Sequence, residues 1–350
     1  MSRFSPKEYS LVIGIFIGLT LFPLIQWSSR IFLREGIITF WITRSLGLRP
    51  PTESATTTPE TIPLPDRRRP LAVMIDNHPN ALPQSGVSKA DVVWEALVEG
   101  GLTRYLAIFK SLPADEIGPI RSARPYFLDW AREAGAVYVH VGGSDEALQL
   151  LAAGIDGLDD ANEFSNGSTF WRDHARTAPH NVYASTEKLR ALIEKKKWNG
   201  ETDARDAALR SDIVPAGEPA AVVEIVYAQG GQRVEFRYDP ATQSYGRTIA
   251  GRGAKDADGT VIAPRTVIAL EIDAVKGKDP QGKGLLAMKT VGSGNATVFR
   301  DGLAVKGVWK KASASDPLQV YAEDKKIPFS FGQLWYAVIA PNRGGSVEYR

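Results

Sequence analysis

Apolar positions follow three successive regimes along the chain. From Tyr9 to Trp27 they run on, with no charged residue between Leu11 and Ile25. Nineteen helical residues reach about 28 Å, close to the thickness of a hydrocarbon core. The pattern therefore predicts a membrane-spanning helix, with Trp27 placed as an interfacial aromatic. The residues that follow, Gln26 to Arg30, contain no small-residue cleavage site, so an uncleaved signal anchor is expected. A second apolar stretch, Ile37 to Ile42, is too short to span. Residues 50–66 then switch to a polar regime with five prolines and five threonines, an extended stalk closed by Arg67, Arg68 and Arg69.

From residue 70 the pattern breaks into short alternations and helical repeats. Leu71 to Ile75 reads as a buried strand. In Asp91 to Phe109 two apolar runs flank Gly100-Gly101, as in a two-residue hairpin. That register pairs Leu97 with Arg104 and puts Glu95, Glu99 and Arg104 on one face of the sheet, with Trp94, Val98, Tyr105 and Phe109 on the other. A helix capped at Ser88 competes, but the Val-Val-Trp content favours a strand. Ser122 reads as the cap of a helix that carries Pro125 in its first turn and ends at Gly135. Ala136 to Val141 is the next strand, Asp145 to Ala153 and Glu187 to Lys197 the next helices. Beyond a polar stretch the pattern is strand-rich, with Gly230-Gly231 and Asp301-Gly302 as hairpin turns. The expected fold is an α/β N-terminal domain, a layered sheet with helices, plus a β-rich C-terminal domain, behind a single N-terminal membrane anchor. The expected boundaries are 1–49 for tip, anchor and juxtamembrane segment, 50–69 for the stalk, 70–198 for the α/β domain, 199–216 for a linker and 217–350 for the β-rich domain.

Composition narrows the chemistry. Residues 1–50 carry six Lys/Arg against two Asp/Glu, leaving 36 and 38 in the remainder. A body so evenly charged has no basic footprint for nucleic acid. The chain has no cysteine, which removes disulfides, thiolate metal sites, a cysteine nucleophile and a lipid-modified N-terminal cysteine. Topology is ambiguous by charge alone. Arg3 and Lys7 precede the span, Arg30, Arg34, Arg44 and Arg49 follow it, and the positive-inside rule would leave the body in the cytoplasm. A lone N-terminal span followed by a stalk is the layout of an outside body.

Candidate chemistry concentrates in the first half. All four histidines, His78, His140, His174 and His180, fall there, without metal-ligand spacing, so no metal or cofactor is expected. The run Gly118 to Pro125 places Arg121, Ser122 and Arg124 at a helix entrance, where backbone N–H groups favour anions. Gly142, Gly143 and Ser144 lie between a strand and a helix, where α/β folds hold ligands. Together with Arg104 these are the candidate ligand-binding residues. An internal salt network with Glu95, Glu99 or Asp129 is the other reading of the arginines. His140, His180 and Glu95 are the candidate catalytic groups. Glu95 and Glu99 have the pairing that glycoside cleavage uses, and equally the pairing that holds an arginine.

The strings PLAVMIDNHP, DVVWEALVEGGLTRYLAIF, IGPIRSARPYF, YVHVGGS and APHNVY, followed by VEFRYDP and VGSGNATVFRDG, resemble the YerB-like family over about residues 70–340. Its members are bacterial envelope proteins with a domain of unknown function, and typical relatives look like lipoproteins. The resemblance implies an extracytoplasmic, membrane-attached protein, anchored here by Tyr9–Trp27 in place of a lipidated cysteine. It carries over no catalytic residues. The expected function is binding of an anionic glycan, wall precursor or envelope partner protein. The alternatives are a wall-active hydrolase or transferase with His140 or His180 as acid/base, and a scaffold with no small-ligand site.

Overall fold

Strand β1 (Leu71–Asp76) is a run of five apolar residues closed by one carboxylate, and all six are buried. The computed structural model describes residues 68–200, 210–278 and 284–350, all within one compact unit, Pro63–Arg350. The expected anchor Tyr9–Trp27 and the stalk up to residue 67 lie outside the described residues, as does the middle of the expected linker. Among the described residues no helix is long and apolar enough to cross a membrane.

β1 lies in a large mixed sheet with β2 (Val92–Leu97), β3 (Thr103–Phe109), β4 (Val137–His140) and β5 (Asp159–Asn162). A smaller antiparallel sheet holds β6 (Val222–Val226), β7 (Arg233–Asp239) and β8 (Ser244–Ile249). β9 (Thr266–Glu271), β10 (Gly292–Arg300), β11 (Leu303–Lys311), β12 (Gln319–Ala322) and β13 (Leu334–Ile339) return to the large sheet, while β14 (Ser346–Tyr349) joins the small one beside β6. The long strands of the large sheet run β12-β11-β10-β9-β13-β2-β3-β1-β4-β5, with the two-residue strand Lys325–Lys326 paired outside β12.

Among the described residues strand outnumbers helix, 43% to 17%, so the fold as a whole is mostly β, with its three α-helices all in the first half. The sheet also runs unbroken from one half of the chain into the other, because β13 pairs in parallel with both β9 and β2. The physical reason is local to β13. Its sequence, LWYAVI, is apolar throughout and buried at every position, so it is stable only as a central strand with a neighbour on each side. Hydrophobic periodicity marks such a strand but does not say which neighbours it takes.

The hairpin register departs from the expected one. The turn between β2 and β3 contains three residues, Glu99 to Gly101, with Gly100 and Gly101 at φ 78° and 76°, and Val98 N–H bonds to the Leu102 carbonyl. One extra residue in the loop shifts every pair by one: Leu97 faces Thr103, Ala96 faces Arg104 and Glu95 faces Tyr105. Since side chains alternate, Glu95 and Arg104 point to opposite faces. Trp94, Ala96, Arg104 and Leu106 form one face, while Glu95, Thr103 and Tyr105 form the other. On the first, Trp94 stacks between Trp130 and Tyr336, at 4.8 and 4.0 Å between ring centroids.

The second face meets the small sheet. There Glu95 receives two 3.0 Å hydrogen bonds from Arg247 of β8, with both side chains fully buried. Thr103, Asn77 and Trp335 donate to the same carboxylate at 2.8, 3.2 and 3.0 Å. The guanidinium is enclosed by Trp335, Tyr105 and Phe236, whose centroids lie 4.8, 5.5 and 5.9 Å from its carbon. Burial works against the charge on Arg247, but Glu95 outweighs it and raises the arginine's pKa.

Three helices pack against the core: α1 (Pro125–Glu133), which lays Trp130 on the first face, α2 (Asp145–Ala153) and α3 (Thr186–Lys196). Ser122 does not cap α1, whose cap residue is Arg124 and forms no side-chain cap bond. The last residue of α1, Glu133, meets Lys311 of β11 at 2.5 Å. Burial pushes the Glu133 carboxyl up to about 7, and Lys311 only partly opposes it.

Removing one partner of the Glu95–Arg247 pair leaves a buried charge unmatched. Arg247→Met should therefore cost about 3–5 kcal/mol in urea denaturation; a loss below about 1 kcal/mol would contradict the role given to the pair. For Glu133 the folded value lies above the ordinary one, so its contribution is fully present at low pH and declines as pH rises through roughly 4.5 to 7. The melting-temperature difference between wild type and Glu133→Gln should thus move against the wild type from pH 5 to pH 8. A pH-independent difference would show ordinary ionisation at Glu133.

Candidate functional site

The chemistry gathers where β1, β4 and β5 end. These strands run parallel, and their last residues, Asp76, His140 and Asn162, lie along one rim of the sheet, the position at which parallel strands present ligands. β3 runs the other way and brings Arg104 opposite Asp76. The segment Ile117 to Ala123 closes the rim by bridging to Ile75, Ala184 and Gly143. Gly118 makes this approach possible: its φ is 154°, and a Cβ there would stand 2.6 Å from the Tyr183 ring.

Asp76 organises the centre. Its Oδ2 accepts a 2.7 Å hydrogen bond from Nδ1 of His180, 104 residues away, and pairs with Arg121 Nε at 2.9 Å. Its Oδ1 accepts the His78 backbone N–H at 3.0 Å. The His78 and His180 rings stack with centroids 4.7 Å apart and 22° between planes. Asp76 is buried, whereas His78, Arg121 and His180 are partly exposed, so the cluster has a buried carboxylate floor and an accessible rim of imidazole and guanidinium. With Nδ1 bound to the carboxylate, His180 is held in one ring orientation, as general acid/base chemistry requires.

The three arginines behave differently. Arg124 forms a bidentate pair with Glu99, at 2.8 Å from Nε and 2.7 Å from Nη2, so the internal-network reading describes it. Burial disfavours the Glu99 carboxylate, but the hydrogen bonds and charge of Arg124, with Arg104 beyond, hold its pKa below the usual range. Arg121 shares Asp76 with His180. Arg104 is 6% exposed and donates to the Ser122 carbonyl at 2.7 Å, with no ion pair to a carboxylate among the described residues. Burial and the neighbouring Arg124 and Arg121 charges push it down to about 10, against the pull of Asp76. Three guanidiniums thus face two carboxylates, and the cluster carries an excess positive charge.

Gly142, Gly143 and Ser144 lie alongside the arginine segment. Ala123 N–H bonds to the Gly142 carbonyl, and Val141 N–H to that of Arg121. Ser144 is the N-cap of α2, its Oγ accepting the Ala147 N–H. Gly142, at φ 60°, sits under the Phe164 ring, 71% exposed; a Cβ would meet that ring at 3.1 Å. His140 is fully buried, with Nδ1 2.6 Å from the Gly142 carbonyl and Nε2 2.7 Å from Asp160, so both ring nitrogens are engaged within the protein. Glu95 lies on the opposite face, buried against Arg247. Among the described residues no group of three His, Asp or Glu is arranged to hold a metal ion.

Two members escape sequence reasoning. Asp76 reads as a partner of nearby His78, yet its closer side-chain contacts are with His180 and Arg121. The available signal is a single carboxylate closing an apolar strand. Phe164 gives none, because an isolated aromatic in a polar loop reads as ordinary.

Family models for the DUF3048 N-terminal and C-terminal domains, described as protein of unknown function, match residues 56–199 and 223–336. The two-domain layout fits this pair of models. The "Putative lipoprotein YerB" of Bacillus subtilis (strain 168) is 32% identical over 285 residues, covering 80% of this chain and 84% of its own length. The crystal structure of the YerB protein from Bacillus subtilis superposes with a TM-score of 0.72 at 30% identity, over 81% of this chain and 94% of that one.

The Glu99–Arg124 pair has a pH signature of the opposite sign to that of Glu133. A lowered folded pKa contributes stability above the ordinary value of 4.5 that is lost as pH falls through the folded value. Glu99→Gln should be destabilised relative to wild type at pH 6, and by less at pH 3, in chemical denaturation at both. Equal losses at the two pH values would contradict the pairing.

Proposed function

The chain belongs to the YerB-like family of proteins with paired DUF3048 domains, and on that premise we propose that it is an extracytoplasmic envelope protein binding an anionic glycan or wall precursor. The family relative bears the name of a lipoprotein. This chain has no cysteine to lipidate, so attachment would fall to the Tyr9–Trp27 segment.

The observation that carries the binding reading is the charge balance at the rim. A buried guanidinium without its own carboxylate favours an incoming anion, and Arg104 is held in that condition beside Arg121 and His180. Arginine's planar fork suits carboxylate and phosphate alike. Phe164 offers an exposed ring beside the arginine segment, a surface on which the apolar face of a sugar can stack.

A second reading is supported by the Asp76–His180 hydrogen bond. A carboxylate fixing a partly exposed imidazole, with arginines beside it, can move a proton and stabilise developing negative charge. In that case the protein is a hydrolase or transferase acting on wall polymer, with His180 as acid/base and Asp76 as its positioning residue.

The test is calorimetric titration of a peptidoglycan disaccharide-peptide into the full chain, alongside Arg121→Ala and His180→Gln. Binding should weaken at least tenfold in Arg121→Ala, about 1.4 kcal/mol. His180→Gln should retain most of the affinity, and under the second reading it abolishes slow turnover of the bound fragment. No heat of binding to wild type, or equal affinity in Arg121→Ala, would overturn the rim as the site.

A further inference from the structure

A groove of about 360 Å³ lies between α3 and the loop Ser165 to Thr169, apart from the Asp76–His180 rim. We propose that it is a second binding site, for an anionic polymer carrying phosphodiesters. Its cationic lining is Lys188, Lys195 and Lys196, with no Asp or Glu in the wall. Among the described residues none of the three lysines takes part in an ion pair. The carboxylates of α3, Glu187 and Glu194, lie outside the groove, and Glu194 accepts a hydrogen bond from Asn199.

Helical spacing selects the ligand's form. Lys188 and Lys195 are seven residues apart on one face, so their backbone positions differ by about 10 Å along the axis. Buried Leu192 lies between them as part of the floor. Two cations so separated match successive charges on one extended chain better than a single small ion. The side-chain types select the charge. Each ammonium is a compact point charge with three rotatable donors, so it takes single phosphate oxygens along a chain, where a guanidinium would fork over one group. Across from the lysines the loop presents Ser165, Ser168 and Thr169, whose hydroxyls are suited to donate to phosphate oxygens.

The test is calorimetric titration of the full chain with poly(glycerol phosphate), with inorganic phosphate and hyaluronate as comparison probes. Lys188→Gln/Lys195→Gln/Lys196→Gln should weaken poly(glycerol phosphate) binding at least tenfold. Lys276→Gln/Lys325→Gln/Lys326→Gln, which removes the same charge elsewhere on the surface, should leave it within twofold. Arg121→Ala should also leave it within twofold, so failure of the groove and failure of the rim are distinguishable. Inorganic phosphate should bind far more weakly than the polymer. The proposal is overturned if wild type does not bind the polymer, if the two triple variants weaken it equally, or if hyaluronate binds as tightly.

Discussion

The buried pair Glu95–Arg247 is the constraint on which the rest of the structure depends. Two opposite charges, both withdrawn from water, are tolerated only if each is matched and hydrogen-bonded. Glu95 meets that condition through Arg247, Thr103, Asn77 and Trp335, residues drawn from both halves of the chain. Among the described residues Arg247 bonds only through Nη2 and rests its other nitrogens among the rings of Trp335, Tyr105 and Phe236. The pair links the large sheet to the small one and spans 152 residues of sequence. Neither half can satisfy it alone. β13 works to the same end, lying between β2 and β9 and pairing with each. The two DUF3048 regions are therefore successive in sequence but share a sheet and a buried polar centre.

The rim site follows from the same hairpin that supplies Glu95. A three-residue loop puts Glu95 and Arg104 on opposite faces of β2 and β3. One faces inward to Arg247. The other stands beside Asp76, near the guanidiniums of Arg121 and Arg124. A two-residue loop would have placed both on one face, where they would have neutralised each other. The excess positive charge at the rim thus depends on one residue of turn length.

Within the rim the protein sorts its charges by partner. Arg124 is locked to Glu99 and Arg121 shares Asp76 with His180, while Arg104 is left with a carbonyl. Within the arginine-rich run both guanidiniums pair with carboxylates, Arg124 with Glu99 and Arg121 with Asp76, and Arg104 from β3 adds the unmatched charge. His140 and His180 are sorted in the same way. The first has both nitrogens bonded within the protein, and the second has one nitrogen fixed by Asp76 and lies at the surface.

Local pattern was enough for much of this. The helix from Asp145 to Ala153, the Asp301-Gly302 hairpin with both residues at positive φ, and the strand Leu71–Ile75 were legible because short-range periodicity and turn chemistry dictate them. The family resemblance was legible from its ordered strings, and the concentration of Arg121, Arg124 and His180 in the first half from composition alone. The turn at Gly100-Gly101 was visible, but its register was not, since the three-residue loop is set by how β2 and β3 pack against their neighbours. Partners distant in sequence were equally hidden: Asp76 with His180, Glu95 with Arg247, β13 with β2. A residue's own type specifies that a buried charge must be matched. Which group matches it depends on what the folded chain brings within hydrogen-bonding distance, and that is a property of the tertiary structure.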